Sequence, residues 1–132
     1  MLFCYRLKKV RILLLLLVFT VLSSCYKKLE LEGFNKDDWK SFRTICTEYR
    51  LKKADLLIEN QDLLLESTQN EVESLLGAAD EHELYKRNEK FFHYRLSPRD
   101  TCKNANDTIK FLSVRFNAIG RASDVQVMLR EQ

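Results

Sequence analysis

The stretch that decides the fold is residues 109–116, Ile-Lys-Phe-Leu-Ser-Val-Arg-Phe, because its side chains alternate in character. In an extended strand, successive side chains point to opposite faces of the sheet. From residue 111 onwards one face is apolar and the other is mixed: Leu112, Val114 and Phe116 against Phe111, Ser113 and Arg115. Such alternation is typical of a strand with one face in a core. The stretch therefore predicts a β-strand whose apolar face is buried.

The same alternation occurs on both sides of this central stretch. Phe91 to Leu96 predicts a strand before it, and residues 125–129 predict a last strand after it. A short strand that ends near Arg87 precedes them. The segments between these strands are polar or contain glycine: residues 88–89, 97–108 and 117–121. The sequence therefore predicts a three- or four-stranded antiparallel meander.

Two amphipathic segments precede the strands. The first spans residues 36–58, where Asn35 can cap a helix and apolar side chains recur at helical spacing. The second opens with the capping box Thr68 to Glu71 and closes at Gly77. Its inward side chains are Val72, Leu75 and Leu76. Two helices followed by a meander predict an α+β domain with the helices on one face of the sheet.

Composition and charge narrow the class of protein. The chain has 132 residues, of which 45% are hydrophobic and 31% are charged, as expected for one globular domain. The formal net charge is +3, from 22 Lys and Arg against 19 Asp and Glu. Four of the bases and none of the acids lie in residues 1–24, so the remaining chain is slightly acidic. This distribution argues against a nucleic-acid partner.

The N-terminus has the pattern of a secretory signal peptide. Basic residues precede an apolar run from Ile12 to Leu22, which is shorter than the roughly 20 residues of a membrane-spanning helix. The run ends Leu22-Ser23-Ser24-Cys25, which resembles the bacterial lipobox. That resemblance implies that residues 1–24 are removed and that Cys25 is acylated. Two or more acyl chains would hold the protein stably on a membrane. The alternatives are a secreted protein cut near Ser24 and an uncleaved signal anchor.

The expected domain organisation follows from this processing. Residues 1–24 are the lipoprotein signal peptide, residues 25–34 are the lipidated cysteine with a short tether, and residues 35–132 are a single α+β domain. Cys46 and Cys102 then remain as an even pair in an oxidising compartment, so we expect a disulfide between them. The alternative is two buried free thiols.

The stretch from Thr68 to Val127 resembles a known family of small lipoproteins. The matching segments are the capped helix up to Gly77, the Tyr-containing strand at residues 94–96, and the strand with its turn at residues 112–120. They resemble the outer-membrane lipoprotein family of BamE (SmpA/OmlA), whose helix-helix-meander plan is similar to that of the β-lactamase-inhibitor protein. The resemblance implies a body that faces the periplasm from the outer membrane and binds other envelope proteins.

Sequence motifs of catalysis and metal binding were not found. The two histidines, His82 and His93, are far apart in the sequence, and no Cys-His pair lies beside them. A zinc site needs several ligands that converge on one point. No G-x-S-x-G, G-x-G-x-x-G or P-loop sequence occurs. We therefore expect a protein with no catalytic residues, metal or cofactor, and not an enzyme.

One group of residues predicts an interaction surface. If helices cover one face of the sheet, a set of aromatic and basic side chains shares the other face: Phe91, His93, Arg95, Phe111 and Arg115. Aromatic and arginine side chains are enriched in protein interfaces. The alternative is a half-exposed sheet face that the loop at residues 97–108 partly covers.

Together these features predict a lipid-anchored, non-enzymatic protein of the cell envelope. Its expected role is a scaffold or docking module for envelope proteins, held in the outer membrane by its anchor. Tyr26 after Cys25 is not the Asp that retains some lipoproteins in the inner membrane. The alternative role is an inhibitor-like or sensing module that binds a soluble periplasmic protein or ligand.

The lipid anchor gives the first testable prediction. Cys25→Ser removes the only thiol that a lipobox could acylate, so metabolic palmitate labelling of the chain should be lost and its precursor should persist. Cys46→Ser is the matched control and should keep the label. An unlabelled parent chain, or a Cys25→Ser chain with unchanged processing and fractionation, would contradict the anchor.

Overall fold

The computed structural model describes residues 6–14, 28–42, 46–98, 101–102 and 108–131. Residues 6–14 are helical. The lipobox and Cys25 lie outside the described ranges, so lipidation remains a prediction. Within those ranges, no helix combines the length and apolarity that crossing a bilayer requires.

The strands form one antiparallel sheet in chain order, which confirms the α+β class and the meander. The strands are β1 (Glu81–Leu84), β2 (Lys90–Arg95), β3 (Thr108–Phe116) and β4 (Ala122–Glu131). β1 ends at Leu84, so the predicted extension towards Arg87 is wrong. Arg87 and Asn88 have φ of 60° and 64° within a short 3₁₀ turn. A strand cannot continue through this left-handed backbone conformation, which instead turns the chain into β2.

In the described part of the chain from residue 28 onwards, three α-helices, not two, precede the sheet: α1 (Lys36–Ser41), α2 (Tyr49–Glu59) and α3 (Gln69–Leu76). The predicted helix over residues 36–58 is therefore wrong, because the chain leaves the helix at Phe42 and residues 46–48 are not helical. The Thr47 hydroxyl accepts a hydrogen bond from the Tyr49 amide at 3.2 Å, a local contact that competes with a continuing helix. The apolar stripe of the sequence is thus divided between two helices.

The predicted caps set the helix ends. The Asn35 side chain accepts hydrogen bonds from the amides of Asp37 and Asp38 at the start of α1. At α3 the capping box is complete, since Thr68 accepts from the Glu71 amide and the Glu71 carboxylate accepts from the Thr68 amide. These side chains satisfy amide groups that a helix leaves unpaired at its first turn.

Helices and sheet share one hydrophobic core. Trp39, Leu57 and Leu75 come from the three helices, and Tyr94 and Leu112 come from the sheet; all are almost fully buried. The wider set of core residues on the same sheet face is Phe92, Leu96, Val114, Phe116 and Val125. Removal of this apolar area from water is the main stabilising term of the fold.

The packed body begins earlier than the predicted boundary at residue 35. Leu29 is fully buried in the core, and its carbonyl accepts a hydrogen bond from Lys36 Nζ at 3.1 Å. Phe34 packs against the Trp39 ring at a centroid distance of 5.3 Å. Most of the predicted tether therefore belongs to the body.

A buried arginine links the helices to the sheet. The Arg50 side chain of α2 is 1% exposed and lies against the rings of Trp39 and Phe42, 5.0 and 4.6 Å from their centroids. Its Nε donates to the Trp39 carbonyl, and its Nη1 donates to the Asp80 carboxylate and the Arg95 carbonyl. Asp80 also accepts from the Arg95 amide at 2.8 Å. Arg50 thus joins α1, α2, the residue before β1 and the end of β2.

The disulfide expected from the sequence is present. Cys46 and Cys102 are bonded, with their Cα atoms 5.8 Å apart and a sequence separation of 56. The bond ties the chain just before α2 to the loop between β2 and β3. Closing a loop of this length restricts the unfolded chain by about 4 kcal/mol in the chain-entropy model.

Replacement of the buried arginine is the second prediction. Arg50→Met keeps the volume but removes the buried guanidinium that donates to the Asp80 carboxylate, so we expect the free energy of unfolding to fall by about 3 kcal/mol. Urea unfolding followed by the fluorescence of Trp39 measures this loss. Lys52→Met on the exposed side of the same helix is the control and should change stability by less than about 0.5 kcal/mol. Equal stability of the two variants would contradict the role assigned to Arg50.

Candidate functional site

The five residues expected to form an interaction surface do lie on one face of the sheet. In the register of β2 with β3, Phe91 lies opposite Arg115 and Arg95 lies opposite Phe111, while His93 of the same set lies between these pairs. We call these five residues the aromatic face. It is the side of the sheet opposite the hydrophobic core, because strand side chains alternate.

The centre of the aromatic face is buried, contrary to the prediction of an accessible patch. His93 and Phe111 are each only 2% exposed. The His93 ring stacks on Phe91 at 5.9 Å with an interplanar angle of 8°. Phe111 meets the same imidazole edge-on at 6.1 Å. Neither His93 nor Phe111 can therefore contact a partner directly while this packing persists.

Charged side chains from the two outer strands cover this centre. Arg130 of β4 donates to the Glu81 carboxylate of β1 at 2.7 Å, although two strands separate β1 from β4 in the sheet. The Arg130 guanidinium also lies 4.8 Å from the centroid of the Phe111 ring. For these side chains to meet, the face must be concave. The Arg130–Glu81 bridge therefore lies across the middle of the aromatic face.

Arg95 is held by the chain that follows it. Its Nε donates to the Ser97 carbonyl at 3.3 Å, and its Nη2 donates to the Pro98 carbonyl at 3.1 Å. These bonds fix the start of the β2–β3 loop. Arg95, which the sequence places in the interaction surface, thus has its Nε and Nη2 donors engaged within the chain.

The accessible part of the aromatic face lies at the opposite end of β2. Arg115 retains 39% of its side-chain exposure and donates through Nε and Nη2 to the Glu89 carboxylate, at 3.1 and 2.6 Å. Its guanidinium lies 5.9 Å from the Phe91 ring, whose other neighbour is the edge of Tyr85 at 5.7 Å. We call Tyr85, Glu89, Phe91 and Arg115 the Phe91–Arg115 corner.

Electrostatics fix the charge of this corner. The hydrogen bonds and negative charge of Glu89 raise the pKa of Arg115 above its ordinary value, with a smaller contribution from Asp124. Since an arginine is already protonated at all physiological pH values, Arg115 presents a permanent cation beside an aromatic ring. The ion pair with Glu89 already restricts the guanidinium. Docking a partner would therefore cost little further side-chain entropy, which favours binding.

An acid, a histidine and a serine lie on three adjacent strands of this face, but they do not form a nucleophile–base pair. His93 Nε2 lies 3.1 Å from the Glu83 carboxylate, and Ser113 lies directly opposite His93 in the register. Neither Ser113 Oγ nor His93 Nδ1 has a hydrogen-bond partner, and Ser113 is 1% exposed. Nucleophilic catalysis requires a hydroxyl that contacts both its base and a substrate.

Metal ligands do not cluster in the part of the chain that the structure describes, where no group of three suitable side chains occurs. Comparisons with known proteins add no assignment: no family model, curated protein or solved structure matches the chain. The function of the aromatic face must therefore be inferred from its own geometry.

Sequence reasoning missed the residues that cover the face. The predicted strands do not include Glu81, and the predicted interaction surface does not include Arg130. Arg130 nevertheless alternates in phase with the polar side of the last strand. The alternation shows which face Arg130 occupies. It contains no signal that its guanidinium crosses to the far edge of the sheet.

Two buried serines provide the third prediction. Ser113 Oγ is buried without a partner, so Ser113→Ala removes a desolvated polar atom and should raise the free energy of unfolding by about 1 kcal/mol. Ser97 Oγ accepts a hydrogen bond from the Lys110 amide at 2.8 Å, so Ser97→Ala should lower the free energy of unfolding by about 1 kcal/mol. Thermal unfolding of both variants gives the comparison. A loss of stability in Ser113→Ala would show that its hydroxyl has a partner in solution.

Proposed function

We propose that this protein is a lipid-anchored, non-enzymatic component of the bacterial cell envelope that docks other envelope proteins through its Phe91–Arg115 corner. The observation that carries the proposal is the corner itself. The partly exposed guanidinium of Arg115 lies over the half-buried ring of Phe91, and a second aromatic side chain, Tyr85, is exposed beside it. Tyr and Arg are enriched among the residues that dominate interface energies.

The corner has the layered composition of a binding surface. Phe91 supplies an apolar centre, whereas Glu89 and Arg115 supply a polar rim that is already hydrogen-bonded. A partner would cover the ring and add an acceptor to the remaining guanidinium donors. Because the ion pair is formed beforehand, little side-chain entropy would be lost on docking.

The membrane anchor is supported by the lipobox-like sequence before Cys25 and by the resemblance to the outer-membrane lipoproteins related to BamE. Because the packed body begins at Leu29, a lipidated Cys25 would leave only residues 25–28 as a free tether. Such a tether reaches at most about 14 Å. The body would therefore lie against the periplasmic side of the outer membrane, where its partners would also be membrane proteins or bound to them.

The fourth prediction tests the corner by photocrosslinking in intact cells. A photoreactive amino acid placed at Tyr85 should give discrete adducts with envelope proteins, whereas the same group at Lys52 on α2 should not. Adding Arg115→Ala should lower the adduct yield at position 85 by about tenfold, the loss expected when an interface contact of about 1.4 kcal/mol is removed. Arg121→Ala is the matched control, since that side chain lies outside the corner.

Two outcomes would decide against this proposal. Adducts that are identical at positions 85 and 52, or unaffected by Arg115→Ala, would show that the corner is not the docking surface. A soluble chain beginning at residue 26 that restores a deletion phenotype would favour the second candidate, an inhibitor-like or sensing module for a soluble periplasmic protein or ligand.

A further inference from the structure

The outer edge of β4 is open along nearly its whole length. β4 has 10 residues, and in the strand order it has a neighbour, β3, on one side only. At its first residue, Ala122, the amide donates to the Ser67 carbonyl and the carbonyl accepts from the Glu66 amide. No other chain segment pairs with residues 123–131 on that side within the part of the chain that the structure describes.

The backbone groups that point outward from β4 can be assigned. The Lys110 carbonyl accepts from the Leu96 amide at 2.8 Å, so the peptide groups of Lys110 face β2. Peptide groups alternate in direction along a strand, so those of Phe111 and Ser113 face β4 and bond to their register partners there. The intervening residues of β4 therefore direct their amides and carbonyls to solvent: Val125, Val127 and Leu129.

This edge is unprotected in comparison with the other edge of the sheet. β1 has only four residues and ends in a 3₁₀ turn, and short edge strands resist pairing with other chains. β4 is long, contains neither proline nor lysine, and leaves Val127 and Leu129 exposed by 42% and 63%. A free edge of this kind is a template for another strand.

The sequence of the free edge is complementary to itself. A two-fold axis through Val127, the middle residue of 123–131, would place β4 antiparallel to the β4 of a second copy. Val127 would then lie opposite its own counterpart, and Leu129 opposite the Val125 of the second copy. On the other face, Arg130 would lie opposite the Asp124 of the second copy, an opposite-charge pair that stabilises adjacent strands.

We infer that the chain forms a homodimer through antiparallel pairing of its β4 strands about Val127. In this register, the outward-pointing residues of the two copies exchange both of their backbone hydrogen bonds. A shift of two residues in either direction removes the Arg130–Asp124 pairing and places Gln126 or Met128 opposite itself. The second copy thus satisfies the edge backbone, the exposed apolar stripe and the charges at once, in a continuous sheet across both molecules.

The fifth prediction concerns the mass of the purified full chain in detergent. Light scattering should show a protein mass of two chains at micromolar concentration, and Val127→Pro should reduce it to one. Proline removes an amide that points to solvent, so circular dichroism should show that the fold is retained. Leu84→Ser, which removes an exposed apolar side chain from β1, is the control and should leave the dimer intact.

Cysteine crosslinking tests the register. Val127→Cys places two thiols at the two-fold axis, where the Cα separation of about 5.5 Å suits a disulfide, and should give a covalent dimer on oxidation. Gln126→Cys is the control, because its thiol faces Met128 of the second copy. A parent chain that stays monomeric, a dimer that survives Val127→Pro, or equal crosslinking at positions 126 and 127 would each overturn the inference. Photocrosslinking at position 85 tests the Phe91–Arg115 corner separately, so a failure of the dimer can be distinguished from a failure of the docking proposal.

Discussion

The interaction on which the rest of the structure depends is the hydrogen bonding of the buried Arg50 guanidinium. A cation taken out of water is costly unless its donors are paired, and here the partners come from separate segments of the chain. Trp39 lies in α1, Asp80 precedes β1, and the Arg95 carbonyl ends β2. Because all three must be in place before the charge is satisfied, Arg50 selects one arrangement of the helices on the sheet among the many that apolar contacts alone would allow.

This arrangement makes the two faces of the sheet unlike each other. The face under the helices is apolar and closely packed, and the aromatic face is covered by long charged side chains of the sheet itself. Both side chains of the Arg130–Glu81 bridge are partly exposed, so an ion pair within reach of solvent lies over this face. The domain therefore combines a fixed core with one adaptable face, and its accessible features are the Phe91–Arg115 corner and the β4 edge.

Sequence patterns predicted what local chemistry controls. Alternation located the strands, and the capping box at Thr68 located the start of α3, because both signals lie within a few adjacent residues. The Cys46–Cys102 pairing followed from the compartment and the count of cysteines. Periodicity could not reveal the interruption between α1 and α2, because the apolar stripe continues through it. An apolar stripe of that kind is equally compatible with one long helix and with two short helices that pack on the same core.

The candidate site was harder to predict because its accessibility is set by distant residues. Alternation correctly placed His93 and Phe111 on the aromatic face, but their burial depends on side chains from β1 and β4, at opposite edges of the sheet. The two-residue alternation of a strand shows which face of the sheet a side chain occupies. Whether that side chain is covered depends on the curvature of the sheet and on how far an arginine side chain extends. The proposed lipid anchor at Cys25 is a different case, because it rests on a lipobox-like sequence and not on folding.

The proposed dimer and the docking corner are connected by charge. Asp124 lies opposite Arg115 in the register of β3 with β4, and its negative charge contributes to the raised pKa of Arg115. In the inferred dimer the same carboxylate also lies opposite Arg130 of the second copy, which is bonded to its own Glu81. Charges of alternating sign would then run from Glu89 of one copy across the interface to the Arg130–Glu81 bridge of the other. Since a network of charges contributes more than an isolated surface pair, dimerisation would stiffen the proposed docking corner.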